Sequence, residues 1–120
     1  MAILRPPTIE DAEDLAKLLS QLGYPCSPSE IPARLEKLTD GPNVLVTVAE
    51  YQDTVVGIIT GHVLSAIHKP EPVAMLTALV VLESTRGLGI GRQLVAHVEQ
   101  WARDRGAHTI SLTSALRRAD

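Results

Sequence analysis

Apolar and polar positions change period along the chain, and each change predicts an element. Residues 2–5 form a short apolar run ahead of Pro6 and Pro7 and predict a strand. Apolar residues then fall at Ala12, Leu15, Ala16, Leu18, Leu19 and Leu22, the spacing of one helix face. Thr8 is the expected N-cap, with Glu10 and Asp11 near the positive helix end, and Gly23 and Pro25 stop the helix. A second helix is expected from Ser29. Pro32 is tolerated in its first turn, where amides lack intrahelical acceptors. Its stripe is Ile31, Leu35 and Leu38, and Asp40, Gly41 and Pro42 end it.

The middle of the chain is strand-like. Val44–Tyr51 and Thr54–Leu64 are β-branched and apolar, and Gln52 and Asp53 make the turn of an antiparallel hairpin. Gly57 and Gly61 weaken the second strand or mark places where something approaches its backbone. After a loop with Pro70 and Pro72, residues 73–82 are almost continuously apolar, which predicts a central strand buried on both faces. Residues 83–91 are a loop with three glycines, Gly87, Gly89 and Gly91. The helix after it carries Ile90, Leu94, Val98 and Trp101 on one face, with Val95 and Ala102 beside them. Gly106 closes that helix, and residues 109–113 predict a last strand. The predicted class is α/β, a mixed sheet of about five or six strands flanked by helices in βααβββαβ order, forming one domain over residues 1–120.

Bulk composition narrows the function classes. A formal charge of -3 gives no basic footprint for nucleic acid. No apolar run is long enough to span a membrane, and the N-terminus lacks the apolar core of a signal peptide. The single cysteine, Cys26, allows no internal disulfide, so a cytoplasmic location is expected. Spacings among the four histidines and Cys26 suggest no metal site.

The chemistry concentrates in Arg86-Gly87-Leu88-Gly89-Ile90-Gly91-Arg92, between a strand and an amphipathic helix. A helix N-terminus exposes unpaired amides and the positive end of the helix dipole. Glycines let the backbone approach an anion closely and adopt positive φ. Arg86 and Arg92 add positive charge, and a pyrophosphate suits such a cradle. A P-loop is excluded because no Gly-Lys pair is present. The dinucleotide fingerprint fails because its third glycine would fall on Arg92 or Leu94. A glycine-rich turn that merely caps an ordinary strand-helix-strand crossover is the structural alternative.

Arg86, Gly89 and Gly91 match the pattern Arg/Gln-x-x-Gly-x-Gly/Ala, and here the chain resembles the GNAT superfamily of N-acetyltransferases. Leu79-Val80-Val81, with Val81 five residues before Arg86, and Trp101-Ala102-Arg103 extend the likeness, which covers essentially all 120 residues. The resemblance implies acetyl-CoA as co-substrate. The backbone of Leu79, Val80 and Val81 would pair with its pantetheine arm and acetyl carbonyl. The amides from Gly87, Leu88, Gly89, Ile90, Gly91 to Arg92 would hold its pyrophosphate. The acceptor would be a primary amine of a small molecule or a protein, attacking directly. The alternative is an acyl-CoA-binding module or inactive truncated remnant without turnover.

Two departures accompany the resemblance. Glu83 stands where the family usually has proline. Family members also continue with a further helix, often with a Phe-Tyr pair, and a final strand, whereas this chain stops at Asp120, just where residues 117–120 resemble the lead-in to that helix. The expected fold is therefore truncated at its C-terminus and lacks the tyrosine that commonly acts as general acid. Neither Tyr24 nor Tyr51 holds that place, and the catalytic residues stay unassigned. An uncovered last strand predicts a homodimer or larger assembly through Ile110, Leu112 and Leu116. Cys26 is read as a loop thiol rather than a nucleophile. His62 is read as a surface or hydrogen-bonded histidine rather than part of an acceptor site. Glu10, Asp11, Glu13 and Asp14 are read as a solvated helix face.

Overall fold

A computed structural model describes residues 2–39 and 41–112. Met1, Asp40 and residues 113–120 lie outside the described residues. So do the expected end of the last strand at Thr113, the contact assigned to Leu116, and the compared segment 117–120. The elements are β1 (Ile3–Arg5), α1 (Ala12–Leu22), α2 (Ile31–Thr39), β2 (Val44–Tyr51), β3 (Thr54–Leu64), β4 (Val73–Val81), α3 (Ile90–Asp104) and β5 (Thr109–Leu112). Their order is the βααβββαβ order that the sequence predicts.

Local chemistry explains the boundaries. Thr8 is extended, and its N–H donates to Asp11 Oδ2 at 2.8 Å while the Asp11 N–H donates to the Thr8 carbonyl at 3.0 Å. This closes a short 3-10 turn that leads into α1. Gly23, at φ 107, ends α1 in the left-handed conformation. The second helix starts later than Ser29, because a 3-10 turn over Pro28–Glu30 precedes it. Glu30 Oε1 accepts from the Ser27 N–H and hydroxyl at 3.0 and 3.1 Å, which tightens that turn so that the α-helix begins at Ile31.

The five strands lie in the order β1-β2-β3-β4-β5. The first four pair antiparallel, and β5 runs parallel to β4 after the crossover through α3. Strand β4 lies inside the sheet between β3 and β5, as expected of a central strand, and β3 is the middle one of the five. An apolar run reports burial on both faces and does not say how many neighbours lie on each side. Leu94 and Val98 of α3 pack on one face of the sheet with Ile59, Leu76 and Leu79. Leu15, Leu18 and Ile31 of α1 and α2 pack on the other face with Val48, Ile58 and Val80. Each such side chain contributes about 1.5–3 kcal/mol by leaving water. The approach expected at Gly57 and Gly61 is that of α3. A Cβ on Gly61 would stand 2.7 Å from Val98 Cγ1, and one on Gly57 would stand 3.1 Å from Leu94 Cδ1.

Of the acidic cluster, Glu10 and Glu13 are on the solvated face expected of them, and Asp11 and Asp14 are not. Asp11 is buried, and both its oxygens accept from the Arg5 guanidinium at 2.9 Å, while Arg5 Nε donates to Glu50 Oε1 at 2.8 Å. Asp14 Oδ2 accepts the Val55 N–H at 3.2 Å. These carboxylates tie the start of α1 to the sheet.

The strand pairing is irregular at two places. Glu50 pairs with Val55 and Ala49 with Gly57, which leaves Val56 as an extra residue in β3. Gly61 pairs with Leu76 and Thr60 with Ala78, which leaves Thr77 as an extra residue in β4.

Candidate functional site

The glycine loop grows out of the end of β4. A 3-10 turn over Glu83–Thr85 follows the strand, closed by the Thr85 N–H and hydroxyl, both donating to the Leu82 carbonyl at 2.9 Å. Arg86 is extended, and Gly87 and Gly89 then take φ of 88° and 80°, where a side chain is strained. Gly89 is the N-cap of α3, and the first helical bond is Gln93 N–H to the Gly89 carbonyl at 3.0 Å. The amides of Ile90, Gly91 and Arg92 therefore precede the first intrahelical bond. Ile90 is buried in the α3 core, which fixes the helix start beside the sheet.

Arg86, Gly87, Leu88, Gly89 and Arg92 line an open cavity of about 570 Å³. A Cβ on Gly87 or Gly89 would meet no atom within 4 Å. The loop thus faces space that a branched side chain would fill. Two guanidiniums, a helix N-terminus and this concavity suit a bound anion.

Beside the loop, β4 has an edge that is open among the described residues. β5 pairs with β4 from Val73↔Thr109 to Leu76↔Leu112, and the Thr77 bulge comes next. Among the described residues no strand covers β4 beyond that point. The Leu82 N–H donates to the Val56 carbonyl of β3 at 2.6 Å. Backbone groups alternate sides along a strand, so Val80 also turns its groups toward β3, while Leu79 and Val81 turn theirs to the open edge. One of those groups is already engaged. Gln21, in the last turn of α1, donates from Nε2 to the Val81 carbonyl at 2.7 Å and accepts the Glu83 N–H on Oε1 at 3.0 Å.

On the α1 and α2 face, next to the bulge, lies a second cavity of about 220 Å³ with an almost wholly aliphatic wall. Thr60, Thr77 and Ala78 of the sheet form part of its lining. Thr77 Oγ1 stands 2.9 Å from His62 Nε2, so His62 is a hydrogen-bonded histidine, as expected. Partial burial holds its pKa below the usual histidine value.

The structure therefore gathers Arg86, Gly87, Leu88, Gly89 and Arg92 around one cavity, in the loop that follows the end of β4 where Leu79 and Val81 lie. Cys26 is partly buried against the α1–α2 core, and His68, His97 and His108 are exposed. No group of three His, Cys, Asp or Glu side chains among the described residues is placed to hold a metal ion. No helix among them is long and apolar enough to cross a membrane. Gln21 and the Thr77 bulge have no local signal in the sequence. Each is defined by a partner strand far along the chain.

Comparison with known proteins agrees with this geometry. The family model for the acetyltransferase (GNAT) family matches residues 11–119. An aminoalkylphosphonate N-acetyltransferase of Salmonella typhimurium is 32% identical over 98% of this chain and 77% of its own length. A GNAT family acetyltransferase of Staphylococcus aureus superposes with a TM-score of 0.82 at 24% identity, covering 94% of this chain and 86% of the other. An aminoglycoside N-acetyltransferase in complex with CoA superposes at 0.79 with 20% identity, covering 95% and 77%. The glycine loop, its flanking arginines and the open edge of β4 all fall within the matched residues, and the chain belongs to the GNAT family of acetyltransferases.

Proposed function

We propose that this chain transfers the acetyl group of acetyl-CoA to a primary amine by direct attack. The observation that supports the reading is the Arg86–Arg92 cavity at the N-terminus of α3, which follows in the chain directly on the stretch of β4 that no described strand covers. Arg86 and Arg92 supply charge for the pyrophosphate, and the amides of residues 87–92 supply donors for its oxygens. Along the open edge, the Leu79 backbone and the Val81 N–H are the groups aimed at the pantetheine amides and the acetyl carbonyl. Val80, the third strand residue implied by the family resemblance, contributes through its buried side chain, which holds the strand against α1.

Acetyl-CoA, when bound, supplies a thioester whose carbonyl carbon takes the amine lone pair while the C–S electron pair leaves on sulfur. The amine proton passes to water, which is sufficient when the amine reaches the site neutral. A small-molecule acceptor is favoured over a protein, because the Salmonella relative is named for small amines. A single free cysteine fits a reducing cytoplasm.

The test is thiol release from acetyl-CoA with a panel of primary amines, beside calorimetry with CoA alone. Micromolar CoA affinity with amine-dependent thiol release is expected. CoA binding without release for any amine would replace transfer by simple carriage of acyl-CoA. Absence of CoA binding would remove both.

A further inference from the structure

The aliphatic cavity says something about the acceptor, provided the transfer reading holds. Its walls are Leu15 and Leu19 of α1, Leu35 and Leu38 of α2, and Ile58 of β3, and its volume is about 220 Å³. An apolar cavity of about 150 Å³ already takes up a benzene ring. The polar groups of its sheet side are the hydroxyls of Thr60 and Thr77. Thr77 is the bulge residue just past the last described pair of β4 with β5, Leu76↔Leu112, and Ala78, also in the lining, precedes Leu79. The cavity therefore reaches the stretch of β4 just before Leu79, at the end remote from the glycine loop, where the acyl group of a cofactor lying along β4 would come.

We infer that the acceptor is a primary amine with an uncharged apolar body, a chain of four to six carbons or one aromatic ring, and that this body fills the cavity between α1, α2 and the sheet. Two observations and one general principle bear on the class of ligand. The wall offers aliphatic contact and almost no hydrogen bonding. The cation at its rim, Arg34, is half-exposed and shared with Glu30 at 3.2 Å, so it offers an anionic body a solvent-screened contact and not a buried one that would offset its desolvation. An amine drawn out of water also loses affinity for its proton, which favours the neutral, nucleophilic form at a site where no base has been assigned. The inferred acceptor differs in kind from an aminoalkylphosphonate, the small amine for which the Salmonella relative is named.

The experiment is calorimetry on the full chain saturated with CoA, titrated with straight-chain primary amines from ethylamine to hexylamine, with benzylamine, and with 3-aminopropylphosphonate. Affinity should rise about three- to fourfold per added methylene, the increment for burying one CH₂, until the cavity is full. Leu35→Trp should flatten that series while CoA affinity stays within twofold. Leu38→Phe is the milder second variant, with the same expected direction. A flat series in the unmodified protein would overturn the inference, as would tighter binding of the phosphonate than of butylamine. Thiol release separates this inference from the reading beneath it. Length-dependent amine binding with no release would strike the transfer reading and keep the cavity's ligand class. Release that ignores chain length would keep transfer and discard the cavity.

Discussion

The side-chain amide of Gln21 lies against the backbone of Val81 as a neighbouring strand would, donating to its carbonyl at 2.7 Å and accepting the N–H of Glu83 at 3.0 Å. One residue of α1 thereby satisfies two edge groups just where β4 turns into the glycine loop. Glu83 occupies the place where the family usually has proline, which has no N–H. The bond to Gln21 Oε1 thus satisfies a donor that the usual residue would not bring.

Gln21→Ala should cost about 1–3 kcal/mol of stability, the net worth of two hydrogen bonds at about 0.5–1.5 kcal/mol each. Glu83→Pro removes the N–H, and Leu82 at ψ 133° already has the backbone that precedes proline. In that background the same alanine should cost about 1 kcal/mol less. Denaturant unfolding of the four proteins measures the coupling. Equal losses in both backgrounds would dismiss the Glu83 half of the contact. CoA affinity should fall severalfold in Gln21→Ala, because the loop's first turn loses its anchor.

How far this site was legible in the sequence depends on the range of each interaction. The glycine loop and its arginines are contiguous, and helix-start physics applies to them locally. Gly57 and Gly61 also announced a close approach, though only the fold identifies α3 as what approaches. Gln21 meets Val81 across 60 positions of chain, and as a polar residue in an amphipathic helix it looks like any solvated one. The bulges at Val56 and Thr77 exist only relative to the pairing partners. Asp11 sits among acidic neighbours, and Arg5 and Glu50, which decide its environment, come from two other elements. The aliphatic cavity is a relation among two helices and the sheet, so no single periodicity encodes it.

Gly89→Val probes the loop. Valine at φ 80° is strained, and left-handed backbone costs a non-glycine residue about 1–2 kcal/mol. Its branched side chain would occupy the space in front of the loop, where nothing stands within 4 Å. CoA affinity should fall at least tenfold, about 1.4 kcal/mol. Calorimetry on protein shown to be folded by circular dichroism decides it, and unchanged affinity would refute the loop as the cradle.

Arg86→Ala and Arg92→Ala should each weaken CoA by about 1.5–3 kcal/mol, the range for a charge-assisted hydrogen bond. Pantetheine lacks the pyrophosphate, so its affinity should change little. Parallel titrations with both ligands are the check. Equal losses would assign the arginines to folding.

Two titrations should shape stability. The Arg5 guanidinium, foremost by hydrogen bonding, holds Asp11 below the usual carboxylate value of 3.8. The stability tied to that carboxylate is fully present above 3.8 and is lost as pH falls through the lower folded value. Burial lowers His62 below 6.5, so the folded state prefers the neutral ring. Between 6.5 and the folded value the unfolded chain binds the extra proton. Stability therefore declines as pH drops below 6.5 and levels off once the folded ring is protonated. His62→Gln should remove the first decline and leave the acid one, while Asp11→Asn should do the reverse. Thermal unfolding from pH 8 to pH 3 reads both, and an unchanged profile in His62→Gln would discount burial as the cause.

Strand β5 ends the strand order, and among the described residues its outer edge has no partner strand. Ile110 is half-buried against the α3 core, while His108 and Thr109 are exposed. An edge of this kind offers unpaired N–H and C=O groups to another chain, and natural edges are commonly blunted by charge. We therefore expect a dimer or larger assembly through β5, at tens of micromolar protein. Thr109→Lys puts a charge on that edge without touching the core, and should shift the assembly toward monomer with unfolding unchanged. Light scattering across a concentration series measures both proteins. A monomer at every concentration would dismiss association, and an assembly indifferent to Thr109→Lys would move the interface away from β5.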